Sequence, residues 1–205
     1  MAEQICPTKG NLINCKKSLV LAKLGFELLD RKRNVMMREM MRLIDVAGDL
    51  QKDIGNVFSG AYTTLQNANV SMGIQNIMVE NAPAENGVQI TSRSVMGVDL
   101  PIVTLEEKPL VPHYGFDETN IEMDKAMAAF ANVKRLTARL AGVDNSVYRL
   151  AVAIKKTQRR ANMLENVVIP RYENSIHFIS GVLEEREREE FTRMKVIKRT
   201  KQRAK

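Results

Sequence analysis

The sequence predicts an all-α dominated fold, in which a long antiparallel two-helix, left-handed coiled coil carries a small central β-hairpin insert. Three observations predict it. Apolar residues recur in steps of three and four along two long tracts, which is typical of coiled-coil helices. A short stretch of alternating apolar and polar residues separates the tracts. Aromatic residues make up only 5% of the 205 residues and tryptophan is absent, which disfavours an all-β fold.

The first tract begins at Leu12 and keeps a 3.5-residue repeat over most of the first 70 residues. Its positions are Leu12, Cys15, Leu19, Ala22, Phe26, Leu29, Arg33, Met36, Met40, Leu43, Ala47, Leu50, Ile54, Val57, Ala61, Thr64 and Ala68. Only Arg33 and Thr64 interrupt the apolar series. A strict repeat of this period keeps one seam facing a partner helix and predicts a left-handed supercoil. We therefore assign residues 1–80 to an N-terminal coiled-coil helix.

The middle of the chain, residues 81–116, is predicted to hold a hairpin and a linker. Val88–Val95 alternates apolar and polar side chains, and Val98–Val103 follows across Met96–Gly97, which indicates two strands joined by a tight turn. Pro101 restricts its strand to an edge or to the end of a sheet.

Residues 117–205 are assigned to a C-terminal coiled-coil helix that begins near Ile121. The second apolar series is Leu136, Leu140, Val143, Val147, Leu150, Ile154, Thr157, Ala161, Leu164 and Val168. It then steps by four to Tyr172 and Ile176, close to Pro170. Because proline removes a helical hydrogen bond and clashes with the preceding turn, we expect a bend or local unwinding there.

The two helices can close their seams by folding back on each other within one chain. The residues expected at the centre of this seam are Leu29, Leu43, Leu50, Ile54, Leu140, Val147, Leu150 and Ile154. If residue 80 lies opposite residue 117, residue 12 lies near residue 185, and the last turns project beyond the N-terminus. A parallel homodimer, with every seam closed between two chains, remains an alternative scaffold.

The net charge of +7 is concentrated at the C-terminus. From Phe191 onward seven residues are basic and none is acidic. An unpaired cationic tip requires an anionic surface, which could be a carboxylate-lined protein cavity or nucleic acid. The tip contains no aromatic residue beyond Phe191, which makes nucleic acid the weaker alternative.

Catalytic and metal-binding patterns are absent from the sequence. It contains no phosphate-binding glycine loop, no zinc-protease helix and no nucleophile elbow, and we expect no cofactor and no catalytic residue. Cys6 and Cys15 lack zinc-site spacing and favour a reducing, cytosolic setting, with Cys15 as a seam residue. His113 and His177 are interpreted as surface or seam residues. No apolar run is long enough to cross a membrane.

Four blocks of the sequence are more specific than any coiled-coil pattern, namely residues 162–173, which include Ile169-Pro170-Arg171, residues 183–191, the start from Pro7 to Arg33, and Met96–Pro101. With these blocks the sequence resembles the D subunit of the V-type and A-type rotary ATPases, in its bacterial and archaeal form. Pro7-Thr8-Lys9 and the block from Leu19 to Arg33 match the first helix of that family, and Met96–Pro101 matches its hairpin. The resemblance covers nearly the whole chain.

The resemblance implies a non-catalytic central axle, which couples ATP hydrolysis or synthesis in a hexamer of A and B subunits to proton or sodium transport. The implied partners are the A and B subunits, the F subunit and a funnel-like subunit that links to the membrane ring, in a hetero-oligomer on the cytoplasmic side of the membrane. No nucleic acid and no direct membrane insertion are implied. We assign contact with the hexamer to Arg193, Lys195, Lys198 and Arg199. The candidate regulatory hairpin residues are Arg93, Val95, Gly97, Leu100 and Pro101.

Overall fold

The computed structural model describes residues 6–73, 86–106, 109 and 119–203. The elements run in the order α1 (Lys9–Met72), β1 (Val88–Val95), β2 (Val98–Leu105), α2 (Ile121–Met163), a π-helical turn (Leu164–Val168) and α3 (Ile169–Arg203). The predicted fold class is confirmed, since long helices dominate and one two-stranded antiparallel sheet interrupts them. The left-handed supercoil stays a prediction.

The chain forms two compact units. The terminal unit combines the residues up to Arg33 with those from Lys155 onward, and the hairpin unit spans Asn34–Ile154. No helix among the described residues is both long and apolar enough to cross a membrane.

In the terminal unit, the first part of α1 lies antiparallel to the C-terminal helices. Lys9 Nζ is 3.0 Å from a carboxylate oxygen of Glu187, and Lys23 Nζ is 2.8 Å from one of Glu173. Farther along α1, Arg33 donates a 2.7 Å hydrogen bond to Gln158 Oε1. The partner number falls as the α1 number rises, as an antiparallel pair requires. The contact of Lys9 agrees with the expected register, in which residue 12 lies near residue 185.

The π-helical turn lies where the apolar repeat slips. The Ile169 N–H donates to the Leu164 carbonyl, five residues back, which adds one residue to the turn. Beyond it, Ile169, Tyr172 and Ile176 are partly buried, so the extra residue keeps the apolar series against α1. The local unwinding expected near Pro170 is therefore confirmed, in the form of a π-turn.

In the hairpin unit, the second part of α1 lies antiparallel to α2. Tyr62 and Phe130 pack edge to face, with ring centroids 5.8 Å apart. Near the end of α1, Met72 Sδ lies 3.1 Å from the Asn120 backbone nitrogen. α1 ends at Met72 because Gly73 adopts φ 76° and donates its N–H to the Asn69 carbonyl, which is a glycine C-cap.

The predicted hairpin is confirmed, and β2 extends two residues beyond the expected Val103. The two strands pair antiparallel, with Val95 opposite Val98 next to the turn and Val88 opposite Leu105 at the far end. Met96 and Gly97 both have positive φ, 51° and 76°, as a type I′ turn requires.

Candidate functional site

The hairpin is anchored in the one cluster of fully buried large side chains that the described part of the hairpin unit contains. Leu100 on β2 packs against Met36 of α1 and Leu150 of α2, and all three are at most 2% exposed. Val95 and Val98, on either side of the turn, pack onto this cluster. A pair of helices alone buries few side chains completely. The burial of Met36 and Leu150 therefore depends on β2, which covers them with Leu100.

The outer edge of β2 lies against α2. Since Val95 and Val98 form the hydrogen-bonded pair next to the turn, Ser92 and Pro101 form a non-hydrogen-bonded pair. The missing N–H of Pro101 therefore costs the ladder nothing, and its carbonyl points outward. Ser146 Oγ lies 3.1 Å from that carbonyl and 2.8 Å from the Gly142 carbonyl, and its single hydrogen serves one of them at a time.

Two further contacts hold the same edge. Arg149 donates a 3.1 Å hydrogen bond to the Asp99 carbonyl. A Cβ on Gly142 would lie 3.1 Å from the Val103 nitrogen, so this glycine permits the close approach of strand and helix. β1 has the opposite character, since all its residues except Val95 are exposed.

An ion pair ties the hairpin to α1. Arg93 contacts the carboxylate of Glu39, which Arg42 also approaches at 3.9 Å. The carboxylate side chain is only 17% exposed. The structure thus places Arg93 beside α1 and Pro101 beside α2. Leu100 lies in the core between the two helices, Val95 packs onto that core, and Gly97 lies in the turn.

The cationic tip lies on the last turns of α3. Arg193, Lys195, Lys198 and Arg199 are exposed, as is every described residue from Glu184 onward. Phe191, Met194 and Ile197 recur there at helical spacing and are 55–66% exposed. The tip therefore presents apolar and cationic side chains together.

The N-terminus meets α3 just before this tip. Arg186 lies 3.5 Å from the Pro7 carbonyl, and Lys9 pairs with Glu187. The hydrogen bond to Glu187 and the charge of its carboxylate raise the pKa of Lys9 above 10.5. This contact marks where α3 leaves its partner helix.

The seam residues expected from the sequence are buried or partly buried. Leu50 and Leu150 are buried. The others are partly buried, namely Leu29, Leu43, Ile54, Leu140, Val147 and Ile154. Pairing within one chain accounts for this burial without a second copy.

Two features of these helices were not predicted from the sequence, namely the hydrogen-bonding role of Arg33 and the face of α2 on which β2 lies. Arg33, treated as an interruption of the seam, contacts Asp30 at 2.5 Å and Gln158, whose amide donates in turn to Asn162. Gly142 and Ser146, four residues apart on α2, were not identified as the docking face for β2. Their spacing on one helix face is the signal that could have found them.

Residues of ordinary catalytic or metal chemistry are scattered. Cys15 is buried in α1, Cys6 and His177 are exposed, and His113 lies outside the described residues. Among the residues that the structure describes, no three or more metal-ligating side chains cluster.

Comparison with known proteins identifies relatives along nearly the whole chain. The sequence profile of the family described as ATP synthase D subunit matches residues 11–199. The V-type ATP synthase D subunit of Thermotoga neapolitana is 41% identical over 196 residues, which cover 95% of this chain and 97% of that one. The A-type ATP synthase D subunit of Pyrococcus horikoshii is 35% identical over 201 residues, 95% of this chain and 94% of the other. That of Methanopyrus kandleri is 35% identical over 202 residues, with 96% and 86% covered.

Proposed function

The chain belongs to the ATP synthase D-subunit family, and we propose on this premise that it is the central rotor stalk of a V/A-type rotary ATPase. In this role it is a non-catalytic subunit of a hetero-oligomeric complex. It couples ATP hydrolysis or synthesis in a hexamer of A and B subunits to proton or sodium transport across the membrane.

The observation that carries the proposal is the pairing of the two chain ends. In the terminal unit, α1 and α3 lie antiparallel, and α3 continues beyond the contact of Lys9 with Glu187 as an exposed helix. A paired helix with a single projecting end suits insertion into a cavity. The C-terminal turns would enter first, because no other segment among the residues that the structure describes accompanies them.

The coupling follows from asymmetry. A two-helix shaft presents a different surface on each side, so three catalytic interfaces around it have different preferred conformations and nucleotide affinities. If the orientation of the shaft changes the nucleotide affinity of an interface, then nucleotide binding changes the preferred orientation of the shaft by the same free energy. Nucleotide turnover therefore favours the next orientation of the shaft, and rotation of the shaft by an ion gradient favours ATP formation.

The remaining partners follow from the same assignment. The F subunit binds the side of the shaft, and a funnel-like subunit joins its foot to the membrane ring. The chain then lies on the cytoplasmic side of the membrane as a peripheral part of the ATPase sector. The anchored hairpin, with Arg93, Val95, Gly97, Leu100 and Pro101, is the candidate modulator of this rotor.

Contact with the A and B subunits is assigned to Arg193, Lys195, Lys198 and Arg199. Deleting residues 191–205 should weaken binding to the A and B hexamer and lower coupled activity, while the melting temperature stays the same. The melting temperature is expected to hold because every described side chain removed is exposed. Equal binding and equal coupled activity would refute the role of the tip.

The rotor assignment itself is tested by purification from native cells. The chain should copurify with A and B subunits, and its isolated form should sediment without forming a stable parallel dimer. A homodimer without ATPase subunits would contradict the assignment. Salt-sensitive, sequence-independent binding to DNA as the main activity would contradict it as well.

A further inference from the structure

One stretch of the terminal unit, which the structure describes throughout, lacks buried residues on both of its helices. On α1, no residue of this unit after Cys15 is buried, and on the C-terminal helices none between Ala161 and Ile179 is buried. By contrast, buried residues recur at intervals of four to nine residues along α2 from Ala126 to Ala161. Because buried contacts oppose local opening of a helix, this stretch is held together less firmly than the rest of the pair.

The π-turn lies within this stretch and weakens the C-terminal helices there. The Ile169 N–H bonds to the Leu164 carbonyl, five residues back, and no residue of the turn is buried. Pro170 follows directly and has no N–H, so the helix lacks one further backbone hydrogen bond at this point. The backbone is therefore easier to deform here than in a regular α-helix.

The first helix has a weak position of its own at the same level. A Cβ on Gly25 would lie 3.8 Å from Leu164 Cδ1, which places Gly25 opposite the start of the π-turn. That distance is an ordinary van der Waals contact, so an alanine would fit and the packing does not require glycine. Since glycine lowers helix stability relative to alanine, both helices are weakened at one level of the pair.

Two polar contacts bracket this level. On one side Arg33 donates its 2.7 Å hydrogen bond to Gln158, and on the other Lys23 lies 2.8 Å from Glu173. The Lys23 and Glu173 side chains are about half exposed, so their ion pair is weak. Long side chains of this kind can follow a small rotation of one helix about the other. The contacts therefore limit a twist without preventing it.

We propose that Gly25 and residues 164–170 form a torsional joint, at which the helix pair twists under load and recovers when the load is removed. A twisted helix pair deforms first where its backbones are weakest, and helices bend sharply at π-turns and prolines. The inference rests on the proposed function, because the load is the torque on the rotor. It adds the place along the chain where that torque is stored.

The joint has a use in that function. The catalytic interfaces and the membrane ring act on the shaft in separate events, so one end of the shaft is ahead of the other for part of each step. A joint that twists and recovers takes up this difference, whereas a uniformly rigid shaft would stall one of the two ends.

Hydrogen exchange of the isolated full chain tests the softness of the joint. The amides of residues 164–169 should exchange at least about tenfold faster than those of residues 147–150, which lie in the buried part of α2. Equal protection of the two segments would overturn the joint and leave the rotor assignment intact.

A stiffened variant carries Gly25→Ala together with a deletion of Asn166, which removes the extra residue of the π-turn. It should slow exchange in the joint at least about tenfold, because both weak positions become regular α-helix. The matched control is Gly60→Ala, which also adds a methyl group in open space on α1 but lies outside the joint. The control should leave exchange in the joint within about twofold of the unaltered chain. An equal effect of the two variants on the joint would overturn the proposal.

The assembled complex tests the twist itself. The A and B hexamer is fixed to a surface, and a bead is attached to Ser92→Cys on the exposed strand β1 in a Cys6→Ser background, where Cys15 is buried. The variance of the bead angle is inversely proportional to the torsional stiffness of the shaft. The stiffened variant should lower this variance at least about twofold, since the softest part of the shaft is gone, while Gly60→Ala leaves it unchanged.

An unchanged variance in the stiffened variant would overturn the joint, although the complex still assembles and turns. If the deletion prevents assembly, Gly25→Ala alone should lower the variance by a smaller amount, and no decrease there would overturn the joint as well. Failure of the unaltered chain to assemble with the hexamer would instead overturn the rotor assignment, and with it the load that the joint is proposed to carry.

Discussion

At the scale of single residues, Gly142 decides whether β2 can lie against α2. In a helix, glycine costs roughly 1 kcal/mol relative to alanine, so a Gly→Ala change in open space should stabilise the chain. Gly60 on α1 has that open space, since no atom outside its own stretch of helix lies within 4 Å of a Cβ added there. At Gly142 a Cβ would press on Val103 at 3.1–3.3 Å.

We therefore expect Gly60→Ala to raise the free energy of unfolding by about 0.5–1 kcal/mol, and Gly142→Ala to lack this gain. Gly142→Val should destabilise by about 1–3 kcal/mol through overpacking, whereas Gly60→Val stays close to neutral. Urea unfolding of the four variants measures this. Equal effects at the two glycines would show that the strand does not need the close approach.

Lys9 supports a prediction about pH. The pKa of Lys9 is raised, first by its hydrogen bond to Glu187 and by the charge of the same carboxylate. A raised folded-state pKa means that the pair stabilises the fold fully below pH 10.5 and loses this contribution as pH rises through the folded-state value. NMR titration of the Lys9 side chain should give a midpoint above 10.5, and Glu187→Gln should lower it. A midpoint unaffected by Glu187→Gln would contradict the contact.

At the scale of elements, the π-turn joins two apolar series whose registers are offset by one residue. The extra residue in the turn keeps both series on the same face of the helix. Removing one exposed residue of the turn, Asn166, would let a regular α-helix carry Leu164, Ile169 and Tyr172 in steps of four and three. The deletion should therefore keep or raise the melting temperature. The same side chains stay against α1, and regular α-helical hydrogen bonds replace those of the π-turn.

A deletion elsewhere in the helix provides the control. Without Lys156, the turns that follow rotate by one residue, and Gln158, Asn162 and Glu165 replace Thr157, Ala161 and Leu164 at the seam. Burying a carboxylate in place of leucine should lower the melting temperature markedly. Equal losses for the two deletions, measured by circular dichroism, would show that the π-turn does not absorb the slip.

Sequence periodicity predicted these elements well where local rules determine them. The 3.5-residue repeat predicts α1 and α2 because each seam position must face the partner, and the alternation around Met96–Gly97 predicts the hairpin. The position of the hairpin was not predictable, because Leu100 meets Met36 and Leu150 only after the helices pair. The ion pair of Arg93 with Glu39 joins residues 54 apart in sequence, beyond any local pattern.

At the scale of the whole molecule, charge and core are distributed differently between the two units. The hairpin unit has the buried cluster and a net negative charge, and the terminal unit has the cationic surfaces. An anionic partner is therefore attracted to the terminal unit, and we expect the buried core of the hairpin unit to resist deformation. For a rotor, binding and stiffness would then reside in separate parts of one chain.

Leu150 tests whether stiffness in the hairpin unit matters for coupling. It is fully buried between α1 and the hairpin, so Leu150→Glu places an unpaired charge in the core and should cost several kcal/mol of unfolding free energy. Val152, two residues on, is 51% exposed, and Val152→Glu should change stability by no more than about 0.5 kcal/mol. The two variants differ in burial but carry the same added charge.

In the assembled complex, Leu150→Glu should lower the number of ions transported per ATP hydrolysed, or prevent assembly, while Val152→Glu keeps the ratio of the unaltered chain. A softened core would let the hairpin unit twist under load, so hydrolysis would continue with less transport. Transport and ATPase rates measured in the same vesicles give the ratio. Normal assembly and an unchanged ratio for Leu150→Glu would show that torque does not pass through this core.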